Sequence, residues 1–81
     1  MRVLALYDRH EQKIHQAAGD VPAAQLALSA IEMNASALFG CDFEDDVTYK
    51  SAKVALEKSE DFSVTQSILS DLDIDSHIIE I

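Results

Sequence analysis

The chain has 81 residues, 48% of them hydrophobic and 26% charged, with a formal net charge of −9 and a single cysteine. That composition is globular rather than disordered, and the length allows one domain with a modest core. One thiol excludes an internal disulfide, and a short chain without such bridges is expected in a reducing cytoplasm. Stability must then come from helix packing or self-association, so a homodimer is an expectation. The charge is lopsided: residues 1–41 carry three bases against four acids, residues 42–81 three against eleven. An acidic half repels nucleic acid, whose affinity rests on Lys and Arg at phosphates, and attracts basic protein surfaces.

In chain order, the first segment places Val3, Leu6, Tyr7, His10, Ile14 and Ala17 at helical spacing. RVLALY fits equally well as a buried strand leading into a helix from Asp8, and periodicity alone does not separate the two. MRVLALYDRHEQ becomes charged by Asp8 and holds no apolar run of signal-peptide length.

The second segment reads as a helix with Asp20 as N-cap, Pro22 in the first turn and Gly40 past its end. Val21 to Cys41 contains one charge, Glu32, but much of its apolar content is alanine. It falls short of the roughly 20 strongly apolar residues of a spanning helix and is expected to be a buried central helix. Its alanines suit close approach of a neighbour, with bulk from Leu28, Ile31, Leu38 and Phe39. A soluble, cytoplasmic protein is the expectation.

Asp42, Glu44, Asp45 and Asp46 precede a third helix, where acids complement the helix dipole; it runs through Val47, Ser51, Val54, Ala55 and Lys58. The fourth starts at Ser63-Val64-Thr65-Gln66, a capping-box pattern, with Val64, Ile68 and Leu72 on one face and Leu69 beside them. Asp73, Asp75 and Ser76 are poor helix formers, so the helix stops near Leu72. His77 to Ile81 reads as a strand or a packed tail.

Several short patterns test for chemistry. Asp71, Asp73 and Asp75 resemble the first three ligands of an EF-hand calcium loop, but position 6 is Ser76 instead of glycine and position 12 falls past Ile81. Asp75-Ser76 resembles the phosphopantetheine attachment motif of acyl carrier proteins; His77 stands where leucine is usual, and five residues follow the serine. His10-Glu11 with His15 is similar to the zinc protease pattern HExxH with one residue too many. On a helix the two imidazoles would diverge, leaving Glu11 and His15 as an i,i+4 surface pair and His10 as a core or rim residue. Cys41, beside Asp42, lacks the electropositive setting of a nucleophile. Helix Thr48–Lys58, a short turn, helix Ser63–Leu72 and SHIIEI resemble a helix-turn-helix with the first strand of a wing. The would-be recognition helix has no Lys or Arg, Thr65 falls at a core position, and Ser59 stands where the turn usually has glycine.

The sequence therefore predicts one small acidic domain over residues 1–81. It is mainly α with three to four helices and a minor two-stranded β element from residues 2–7 and 77–81; the alternative is a winged-helix-like α+β fold. The expected function is a non-enzymatic interaction module that modulates or inhibits a partner with a basic surface. Asp42, Glu44, Asp45, Asp46, Asp71, Asp73 and Asp75 are the candidate contact residues, with no cofactor or metal. The alternative function is DNA binding or transcription modulation.

Overall fold

A computed structural model describes residues 2–9, 11–58 and 61–81. The expectations for His10 and Ser59 lie outside the described residues. The chain forms β1 (Arg2–Asp8), β2 (Lys13–Ala18), α1 (Asp20–Met33), α2 (Ala35–Phe39), α3 (Val47–Lys58), α4 (Phe62–Asp71) and β3 (Ser76–Glu80), with a 3₁₀ turn over Phe43–Asp45. Among the described residues the architecture is α+β: four helices beside a three-stranded antiparallel sheet in the order β2-β1-β3.

The first segment is a β-hairpin, which corrects both the helical stripe and the helix expected from Asp8. β1 alternates in burial from Leu4 to Asp8, and the ladder pairs Leu6 with His15 and Asp8 with Lys13. Leu4 and Leu6 face the helices and are fully buried, whereas Tyr7 and Ile14 lie on the open face, exposed by 38% and 66%. Residues at the two strand ends also pair. β1 runs antiparallel to β3 with Arg2 opposite Glu80 and Leu6 opposite Ser76, and Arg2 Nε lies 3.4 Å from Glu80 Oε1. The sheet hairpin precedes the helices and β3 joins its central strand β1 after α4. This is not the order of a recognition helix followed by a hairpin wing.

Helix α1 is the central element, packed against β1, β2, α3 and α4. Ala23, Ala24, Ala27 and Ala30 are buried along it, with Ile31 fully buried. Small side chains let the sheet and the two later helices approach α1 from several sides, and Lys53 reaches Glu32 from α3 at 3.6 Å. Asp20 is the first helical residue and not the cap; Gly19, at φ 98, holds that place without a side-chain hydrogen bond. The expected single helix to Gly40 breaks at Asn34. There the side-chain amide donates to the Ala30 carbonyl at 2.8 Å, competing with the helical ladder.

Asp46 caps α3, its Oδ1 accepting from the N–H of Thr48 at 2.8 Å and of Tyr49 at 3.2 Å. The buried face of α3 is Tyr49, Ala52 and Leu56, while Val47 and Val54 are exposed. Tyr49 stacks edge-on with Phe39 and Phe43, at centroid separations of 5.6 and 5.2 Å, tying α2 and the 3₁₀ turn to α3. For α4 the cap is Asp61, whose Oδ1 accepts from Ser63 N at 2.8 Å. The predicted capping box on Ser63 begins two residues late, because Phe62 belongs inside the helix and is buried. The buried face becomes Phe62, Thr65 and Leu69, and Val64 turns outward. The hydroxyl of Thr65 is satisfied in the core by donating to the Asp61 carbonyl at 3.4 Å. No helix of the described residues is long and apolar enough to cross a membrane.

Candidate functional site

The end of α4 breaks two local rules at once. Leu72 closes the helix, and Asp73 follows with φ 63. The N–H of Asp73 donates to the Ser70 carbonyl at 3.1 Å and that of Ile74 to the Leu69 carbonyl at 2.9 Å. This pair of bonds is a Schellman motif, in which the left-handed residue is ordinarily glycine. An aspartate tolerates that conformation better than most residues but still at a cost. The second broken rule is electrostatic. A helix C-terminus carries partial negative charge and favours cations, yet Asp71, Asp73 and Asp75 cluster there and the last turn has no base.

One cation partly offsets the cluster. Arg9, just past β1, sets its Nη2 3.1 Å and its Nε 3.2 Å from Asp75 Oδ2. Hydrogen bonding to Asp75, with the charges of Asp75 and Asp73, raises the Arg9 pKa above its ordinary value. Guanidinium is already charged at physiological pH. The backbone joins in, since Tyr7 N–H donates to the Asp75 carbonyl at 2.9 Å. The α4–β3 connection is thus fixed to the end of β1.

Beneath this corner lies a cavity of about 350 Å³. Its walls come from the end of β1, the α1–α2 break and the α4–β3 connection. Leu6, Ala30, Ala37, Leu38, Leu72 and Ile74 supply apolar surface, and Arg9, Asn34, Asp73 and Asp75 supply polar groups. An apolar hollow with a few polar groups at its edge is the usual form of a binding site, and this volume is at the small end of the range. A second, more polar groove follows the outer face of α4 past Ser63, Gln66, Ser67 and Ser70 to Asp73 and Asp75.

The predicted acidic residues separate into two groups. Asp73 and Asp75 line both hollows, and Asp71 is exposed just before them. Asp42, Glu44, Asp45 and Asp46 belong to the α2–α3 connection and line neither hollow. Within that group Asp46 is committed to its cap, while Asp42, Glu44 and Asp45 are exposed. Sequence reasoning missed Arg9, Asn34 and Leu38 as site residues. Only the asparagine carried a signal, as a helix-breaking type in an alanine-rich run.

The earlier chemical resemblances can be placed as well. Asp71, Asp73 and Asp75 are a helix end, a left-handed cap and a strand lead-in. Ser76 begins β3 instead of opening a helix, and Leu6 faces it across the sheet. Cys41 is exposed. No protein-family model matches this sequence, and no curated protein or solved structure matches the chain.

Proposed function

We propose that this chain is a non-enzymatic interaction module that modulates or inhibits a partner through that partner's basic surface, and that the partner docks at the α4–β3 corner. The observation that carries the reading is the acidic Schellman turn. Three carboxylates at the negative end of a helix, one of them on a left-handed backbone, cost stability that a glycine and a lysine there would recover. Such an outlier motivates a functional reading. A basic side chain of the partner neutralises Asp71 and Asp73, while an apolar neighbour enters the cavity between Leu38 and Leu72. Electrostatic attraction then speeds encounter and the apolar contact supplies residence. Asp42, Glu44 and Asp45 extend the same field as a weaker, peripheral patch. Self-association is part of the same expectation, through the open sheet face of Tyr7, Ile14 and Ile79, which is poor in charge.

The test is capture from cell extract by the wild-type chain and by the Asp71→Asn/Asp73→Asn variant, eluted with a salt gradient. Asparagine also accepts a left-handed backbone, so the variant removes charge and keeps the turn. Asp75 is left intact to preserve its pair with Arg9. A partner specific to the wild type, captured about tenfold less by the variant, supports the reading. Equal capture by both chains refutes it.

A second reading has one observation in its favour, the hydrogen-bonding face of Ser63, Gln66, Ser67 and Ser70 on α4. Polar side chains of this kind can read base edges, and a mobility shift at low salt would support DNA binding. The acids at the end of the same helix oppose phosphate contacts, which carry much of such affinity.

A further inference from the structure

The β1–β2 hairpin holds a group of donors that no helical reading of this segment would assemble. Asp8 ends β1, Glu11 stands in the turn and His15 lies on β2. The ladder sets Asp8 opposite Lys13 and Leu6 opposite His15. Side chains alternate along a strand, so Asp8 and His15 project from the same, helix-facing side of the sheet. One donor atom from each of Asp8, Glu11 and His15 lies within 4.8 Å of the other two. His15 Nε2 is 4.0 Å from Glu11 Oε2. Asp8 is only 5% exposed, and its Oδ1 accepts from the Glu11 N–H at 3.3 Å, which orients the carboxylate toward the turn.

We propose that Asp8, Glu11 and His15 form a binding site for one divalent transition ion of the zinc class, with water completing the coordination shell. Donors around a tetrahedral ion with bonds of about 2.1 Å stand about 3.4 Å apart. The cluster therefore needs to contract by up to about 1.4 Å at its widest pair, a movement that the partly exposed Glu11 and His15 side chains can share. Asp8 is held by burial and by its bond to the turn. An imidazole nitrogen beside two carboxylate oxygens selects zinc, cobalt or nickel over calcium or magnesium, which prefer all-oxygen shells. An ion here also removes the mutual repulsion of Asp8 and Glu11, and it ties the turn to β2. Lys13 stands across the ladder from Asp8.

The test titrates the full chain with Zn²⁺ by calorimetry and with Co²⁺ by visible absorption, and follows thermal unfolding with each ion. One saturable site per chain, a rise in Tm with Zn²⁺ and none with equal Mg²⁺ are expected. Glu11→Gln and His15→Gln should each weaken binding at least tenfold, and His77→Gln should leave it unchanged. Far-UV circular dichroism shows whether His15→Gln keeps its fold; should it not, the exposed Glu11→Gln carries the test. Absence of a saturable site, unchanged affinity in a folded His15→Gln chain or in Glu11→Gln, or loss of binding in His77→Gln would overturn the assignment.

Discussion

Asp46 serves the fold and the acidic surface at once, and two substitutions separate the roles. Its Oδ1 accepts from two backbone N–H groups at the start of α3, and its charge lies at the positive end of the helix. Loss of an aspartate cap costs about 1 kcal/mol, and loss of the charge–dipole attraction about 0.5 kcal/mol. Asp46→Ala removes both, near 1.5 kcal/mol in all. Asp46→Asn keeps an acceptor of similar reach and loses only the charge term. In a domain of this size 1 kcal/mol moves Tm by roughly 6 °C, so the alanine variant should melt about 9 °C lower and the asparagine variant about 3 °C lower. Both variants relieve the overall acidity equally, so the difference between them isolates the cap. Thermal unfolding followed at 222 nm reads it directly, and a repeat at 0.5 M salt should shrink the asparagine deficit because exposed charge–dipole terms are screened. Equal melting of the two variants would refute the capping argument. If the expected order is found, a binding loss in Asp46→Asn reports charge and not a frayed helix.

Two further substitutions probe the core and the entry to α1. Leu69 is fully buried on α4, and Leu69→Ala should cost about 2–5 kcal/mol, against a total of roughly 4–12 kcal/mol for a chain this long. Urea unfolding should show that fall, with Val64→Ala, at an exposed neighbour on the same helix, within about 0.5 kcal/mol of wild type; equal effects would reject the assigned buried face. Gly19 has φ 98, a backbone conformation that strains any L side chain, while an added Cβ would meet Pro22 Cδ at 3.4 Å, an ordinary contact. Gly19→Ala should therefore lose about 1–3 kcal/mol, and a variant as stable as wild type would show that this turn is not strained.

The helices were legible where composition and punctuation agreed. Asp20, Pro22 and the alanine run marked α1, and the acids before Val47 marked α3. Asn34 was harder to read, because the break needs its amide to find the Ala30 carbonyl and propensity alone gives a small penalty. Asp61 and Ser63 were both acceptable caps, and tertiary packing chose Asp61 by drawing Phe62 into the core. The hairpin was the largest miss. β1 is so rich in apolar residues that it satisfies a period of 2 and a period of 3.6 together. β2 then hides its strand character by placing Ile14 on the open face and Lys13, His15 and Ala17 on the covered one. The turn between them contains no glycine, proline or asparagine to announce it, and Gln12 takes the left-handed conformation at φ 56.

The same feature conceals the two candidate sites and argues for their importance. Gln12 and Asp73 are the positive-φ residues other than glycine among the described residues. Each costs about 1–2 kcal/mol relative to an ordinary backbone, a sizeable share of the stability of a small domain. Both turns lie at one end of the sheet, since Leu6 pairs with His15 on one side and with Ser76 on the other. Arg9 bridges them by leaving the hairpin and reaching Asp75. Strain of this kind scattered over a molecule would read as tolerated imperfection. Gathered at one end, beside a cavity and two clusters of carboxylates, it is the feature that the proposed docking corner and the proposed ion site share. Neither turn carries the glycine that would have revealed it from sequence, and both carry side chains that a glycine would lack.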